Sequence, residues 1–136
     1  PATPLPGIME VAEGKRRKLQ VFGDDYPTED GTGVRDYIHV TDLAEAHVQA
    51  LEHIDGSGEN LTVNLGSESG ISVQEMVEVA RRVTGREIPA KVVARRPGDP
   101  ARLVASAGLA RKTLGWKAVY SDVETLIDTS WKAYNG

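Results

Sequence analysis

Hydrophobic and polar positions along the chain follow two periods, and the helical one is the better marked. From about Asp42 to Ile54, the residues Leu43, Ala46, Ala50, Leu51 and Ile54 fall on one face, the pattern of an amphipathic helix. Asp42 and Glu45 have capping-box spacing at its start, with Thr41 as a competing cap. A second helix is predicted over Val73 to Thr84, opened by Ser72 with Glu75 and closed by Gly85. Ser106 to Leu114 reads as a short helix stopped by Gly115. The last helix is predicted to start at a Ser121–Glu124 box and to turn Val123, Leu126, Ile127, Trp131 and Tyr134 inward. Residues 8 to 17 form a shorter candidate, with Ile8, Met9, Val11 and Ala12 as its apolar positions.

Between the helices lie short extended runs. Leu19 to Phe22 reads as a strand ended by Gly23, and the polar loop from Asp24 to Gly33 carries the turn residues Pro27, Gly31 and Gly33. Val34 to Val40 is rich in β-branched and aromatic residues and is expected to be extended. Leu61 to Leu65 and Lys91 to Ala94 are two further candidates, the first placed at a sheet border. Helices alternating with short strands predict an α/β fold. The expectation is three or four helices, too few strands for a complete doubly wound sheet, and one domain over residues 1–136.

Composition narrows the function classes. A net charge of −4 gives no basic surface for a nucleic acid, so no nucleic-acid partner is expected. The cluster Lys15-Arg16-Arg17-Lys18 is the local exception and reads as a solvated helix end. With no cysteine, disulfides and thiolate metal sites are excluded, which fits a reducing cytoplasm. No apolar run approaches the roughly 18 residues of a membrane span, so no membrane partner is expected. The opening Pro1-Ala2-Thr3-Pro4-Leu5-Pro6 lacks the features of a signal peptide and is expected to be a cut or an artificial boundary.

Three polar groups are candidates for chemistry. Arg35 sits in an extended apolar run, where an unpaired charge is costly; it either pairs with Asp36 or another carboxylate, or it holds an anionic ligand. The turn Arg95-Arg96-Pro97-Gly98-Asp99 joins guanidinium forks suited to phosphate with a carboxylate suited to sugar hydroxyls; the alternative is a surface turn with internal ion pairs. His39, His47 and His53 show no metal-ligand spacing, so no metal site is expected. His47 is expected to border the core and His39 to bond a backbone group. The carboxylate pairs Asp24-Asp25 and Glu29-Asp30 read as solvated loop surface. Gly31 and Gly33 do not make a dinucleotide fingerprint, and no tyrosine has a lysine four positions later. No catalytic residue is expected.

The run Val21-Phe22-Gly23, Tyr26-Pro27, Asp30-Gly31-Thr32-Gly33 and Arg35-Asp36-Tyr37-Ile38-His39-Val40 resembles the signature of UDP-glucose 4-epimerases, in the extended short-chain dehydrogenase/reductase family. The likeness continues through Val63-Asn64-Leu65-Gly66, Arg95-Arg96-Pro97-Gly98-Asp99 and Leu114-Gly115-Trp116, and so covers the chain from about Ile8. It implies the C-terminal, substrate-binding part of such an enzyme, with an incomplete Rossmann sheet and a polar cleft. It also implies that Arg35 and Arg96 grip the diphosphate of a UDP-sugar, that Asp99 takes the ribose hydroxyls, and that backbone groups of Gln20, Val21 and Phe22 line the uracil. The family reaction interconverts UDP-glucose and UDP-galactose through a 4-keto sugar with NAD. Its Tyr-x-x-x-Lys and Gly-rich motifs are not in this sequence, so NAD is not expected to bind the chain alone, and the chain alone is expected to be inactive. The missing N-terminal half or a homodimer partner would complete it. The family pattern is broken at Thr3-Pro4 and at Leu103, where a tyrosine is often found. The alternatives are a non-catalytic nucleotide-sugar or partner-dependent module, or part of a related sugar-nucleotide dehydratase or decarboxylase.

Overall fold

The computed structural model describes residues 4–58, 60, 62–67 and 69–135, the last by its backbone only. The chain falls into two units, each assembled from separate stretches of sequence. The first takes in residues 1–35, 71–103 and 123–136, and the second residues 36–70 and 104–122.

In the first unit, α1 (Pro4–Ala12), α3 (Val73–Thr84) and α5 (Val123–Asn135) pack against one another. Ile8, Met9, Met76, Val77 and Ile127 are fully buried there, together with Ile88. The α3 helix keeps its predicted bounds because both ends are set locally. Ser72 Oγ accepts from Glu75 N–H at 3.0 Å, and Gly85 ends the helix in the left-handed conformation. The β1 strand (Leu19–Phe22) also matches its reading and pairs in parallel with β4 (Ala90–Val93), placing Phe22 beside Val93. A second sheet joins β2 (Val34–Arg35) to β3 (Ile71–Ser72) antiparallel and to β5 (Arg102–Leu103) in parallel.

Several expectations are corrected. The first helix ends at Ala12, and the basic cluster follows it in an exposed turn where Arg16 pairs with Glu10 at 2.9 Å. The extended run from Val34 keeps sheet bonds only to Arg35. Among the described residues five helices stand where three or four were expected. Among the described residues of α5, Leu126 and Ile127 are buried and Val123 and Trp131 half-buried, whereas Tyr134 is 44% exposed.

The second unit holds α2 (Val40–Ser57) and α4 (Gly108–Leu114), packed around Trp116 with Ala46, Ala107 and Ala110. Residues 62–65 form no strand; Val63 and Leu65 lean on the Trp116 core as irregular chain, and Leu61 lies outside the described residues. The α2 helix starts earlier than predicted and has a different cap. His39 Nδ1 accepts from Thr41 N–H at 3.0 Å, which fulfils the expectation of a backbone bond for His39. Asp42 is drawn away by distant chain: its buried carboxylate accepts from Val119 N–H, Tyr120 N–H and Ser121 Oγ. Ser121 Oγ is therefore a partner of Asp42, and it also accepts from His39 N–H at 2.9 Å. His47 is exposed and bonds the Leu43 carbonyl instead of bordering a core. The predicted apolar face of α2 is largely uncovered, with Leu43, Leu51 and Ile54 all exposed.

Candidate functional site

All the candidate residues but Arg35 lie on β1 and on the turn that leaves β4. Phe22 is the last residue of β1, and the backbone bond from Gly23 N–H to the Val93 carbonyl (2.9 Å) keeps the two strand ends together. Beyond β4, Arg96 stacks its guanidinium over the Phe22 ring, with Cζ 4.6 Å from the centroid. Arg96 Nε donates to Asp99 Oδ2 at 2.8 Å across the Pro97-Gly98 turn. One face of the guanidinium is thus held by an aromatic ring and one donor by a carboxylate, an arrangement that restricts its orientation. Among the described residues no hydrogen bond engages its two terminal nitrogens, and the second Asp99 oxygen is likewise uncommitted.

Arg35 stands in the other sheet. It lies opposite Leu103 in the β2–β5 register, and residues 94–101 carry the chain from β4 to β5. The Arg96–Asp99 turn therefore lies on the segment joining the two sheets that carry Phe22 and Arg35. Arg35 is half-buried, and its Nη1 donates to the neighbouring Val34 carbonyl at 2.8 Å. No carboxylate among the described residues pairs with it. Asp36, the nearest candidate in sequence, accepts from Ser67 N–H and Ala105 N–H instead, each at 2.9 Å. The internal-pair alternative thus holds for Arg96, which has Asp99, and fails for Arg35 with Asp36. Gln20 and Val21 lie on β1 opposite Lys91 and Val92, Gln20 exposed and Val21 buried.

The Asp24–Gly33 loop is more tightly held than a solvated surface. Asp30 accepts from the Thr32 N–H and hydroxyl, and its other oxygen accepts from Ser72 Oγ at the start of α3. Thr32 Oγ1 in turn accepts from Gln74 N–H at 3.1 Å. Burial pushes the Asp30 carboxyl up, but the bonds from Ser72 and Thr32 outweigh it and leave the group below its ordinary value. At the other end of the loop, Arg95 Nε donates to Asp25 Oδ1 at 2.9 Å and Arg95 lies over the Tyr26 ring. Neither network was legible beforehand. Their partners are 42 and 70 residues apart, and Asp25 and Asp30 carry no local sign of the groups they meet. No group of three or more metal-ligating side chains occurs among the described residues, and no helix there is long and apolar enough to cross a membrane.

The family model for GDP-mannose 4,6 dehydratase matches residues 4–129. The chain belongs to the GDP-mannose 4,6 dehydratase family. Within that family it is similar to the UDP-glucose 4-epimerase of Lacticaseibacillus casei, at 51% identity over 93% of this chain and 38% of the relative. A UDP-glucose 4-epimerase from Stenotrophomonas maltophila, solved with NAD and formylated UDP-arabinopyranose, superimposes with a TM-score of 0.95 at 46% identity. That match covers 99% of this chain and 40% of the solved one. The Bifidobacterium longum UDP-glucose 4-epimerase, solved with NAD+ and UDP, gives a TM-score of 0.87 at 42% identity over 99% of this chain and 40% of that one. The α/β architecture is thus one that those solved epimerases share, and the chain spans 38% of the length of the first curated relatives it matches.

Proposed function

We propose that this chain is the UDP-sugar-binding part of a UDP-glucose 4-epimerase that interconverts UDP-glucose and UDP-galactose. The observation that carries the reading is the Arg96 guanidinium, held on Phe22 and tethered to Asp99 with its terminal nitrogens uncommitted. Such a fork is ready for two-point contact with a diphosphate. In this reading Arg35 supplies the second cation, the uncommitted oxygen of Asp99 takes ribose hydroxyls, and backbone groups of Gln20, Val21 and Phe22 line the uracil. Arg35 suits the role because a half-buried cation without a carboxylate gains most from an anionic ligand.

NAD is the cofactor implied by the reading, and the residues present do not fit it. Gly31-Thr32-Gly33 closes a loop that runs into β2 instead of a helix, and Thr32 is already bound to Asp30 and Gln74. The part of this chain is therefore to bind and orient the nucleotide end of the substrate. Turnover is not expected from it alone, and a cytoplasmic location goes with the reading. A second reading, a module that works only against a partner surface, is favoured by the exposed Val40, Leu43, Val48, Leu51 and Ile54 of α2.

Calorimetric titration with UDP-glucose, with NAD as control, tests the proposal. Binding of UDP-glucose is expected, and Arg96→Ala should remove about 1.5–3 kcal/mol of it. Equal binding by both proteins would overturn the assignment of Arg96. Absence of heat with either ligand would bring the partner-dependent reading forward.

A further inference from the structure

Arg95 neighbours the proposed ligand contacts, yet its guanidinium is committed to one short segment of the 24–33 loop. Nε donates to the Asp25 carboxylate at 2.9 Å, and Nη2 donates to the Asp25 carbonyl at 2.7 Å. Its Cζ lies 4.2 Å from the centroid of the Tyr26 ring, and that ring is buried. The Arg95 stem runs past Gly23, where a Cβ would come within 2.7 Å of Arg95 Cγ and 3.0 Å of the Tyr26 ring. Glycine at 23, with a φ of 94°, therefore leaves the passage that the side chain needs. Two consecutive arginines thus take two aromatic rings from either side of Gly23: Arg95 holds Tyr26, and Arg96 holds Phe22.

The ion pair does little for the fold as a whole. Side-chain exposure is 46% for Arg95 and 75% for Asp25, and so exposed a pair adds little to global stability. Its effect is local. Beyond the Gly23–Val93 backbone bond, Arg95 is what ties the start of the loop to the end of β4. The far end of the loop is secured separately, at Ser72 and Gln74.

We propose that Arg95, Asp25 and Tyr26 form a positioning clamp, which fixes the chain after Phe22 against the chain before Arg96. The inference rests on the UDP-sugar reading. In that reading the clamp sets the spacing between the uracil-lining end of β1 and the guanidinium that grips the diphosphate. Ordering both before the ligand arrives lowers the cost of binding. Arg95 is a positioning residue, with no ligand contact of its own.

The sign of one charge change separates this from simple attraction. Asp25→Asn removes a negative charge beside an anionic ligand, so electrostatics alone predicts tighter UDP binding. The clamp predicts weaker binding, by about tenfold. Arg95→Lys keeps the charge but loses the two-point hold on Asp25, and should weaken UDP binding to a similar degree. The measurement is UDP titration of the 136-residue chain and both variants, with Arg96→Ala alongside, thermal melts, and amide exchange over residues 24–28. Expected results are melting temperatures within a few degrees of the parent, faster exchange in those amides, and weaker UDP binding in both variants. Tighter or unchanged binding in Asp25→Asn, with Arg96→Ala impaired, would overturn the clamp and leave the UDP-sugar reading standing. Failure of the parent chain to bind UDP would overturn both.

Discussion

Removing the Asp42 carboxylate is expected to unfasten the second unit. Asp42 is 2% exposed, and its oxygens accept from Val119 N–H at 2.9 Å, Tyr120 N–H at 2.8 Å and Ser121 Oγ at 2.6 Å. A hydrogen bond to a charged group contributes about 1.5–3 kcal/mol. Val119 and Tyr120 are exposed residues whose N–H groups can regain water after the loss, so the three bonds together should be worth about 3–5 kcal/mol. That is a large share of the roughly 5–15 kcal/mol that holds a domain. Trp116 is a local reporter, being 1% exposed with its indole N–H donating to the Asp42 carbonyl at 2.9 Å. Urea denaturation followed by Trp116 fluorescence, in a Trp131→Phe background, should show Asp42→Ala unfolding at much lower urea. Asp42→Asn keeps the shape but faces an amide N–H₂ toward a donor, and should lose about 1–3 kcal/mol. Midpoints for both variants within about 0.5 kcal/mol of the parent would refute the reasoning.

Two further outcomes follow from close contacts elsewhere. A Cβ at Gly66 would lie 2.1 Å from the Ala105 carbonyl oxygen and 2.8 Å from Asp36 Oδ2, so Gly66→Ala should cost about 1–3 kcal/mol in urea melts; an unchanged midpoint would contradict the packing. Asp30 has an ordinary value of 3.8 and a lowered one in the fold. Its stabilising effect is therefore complete above 3.8 and is lost as pH falls through the lowered value. The gap in melting temperature between the parent and Asp30→Asn should close only on that acid side, and a gap that widens there would refute the assignment.

Sequence reading succeeded where neighbours in the chain settle the structure. The α3 helix has a serine cap at one end and a glycine at the other, and β1 is an apolar run cut by Gly23. It failed where distant groups compete. Asp42 has the spacing of a helix cap, yet it serves residues 119–121, and His39 caps in its place. Val63 and Leu65 look like strand residues, but Trp116 buries them without sheet bonds. The two-residue strands β3 and β5 are too short to leave a periodic trace. In the candidate site, the Arg96–Asp99 turn was legible because its partners lie three residues apart. The hold of Arg95 on Asp25 spans 70 residues and has no local signature.

The interleaving of the two units sets an order on biosynthesis. The first unit needs α1, α3 and α5, and α5 begins only at Val123. A ribosome will therefore have made nearly all of this chain before Leu126 and Ile127 can cover their share of the helix layer. Until then the apolar sides of α1 and α3 stay open to chance encounters, with Met76 and Val77 among their residues. Nascent chains stalled before residue 123 should depend on chaperones, and late-emerging α5 is the segment that ends that dependence.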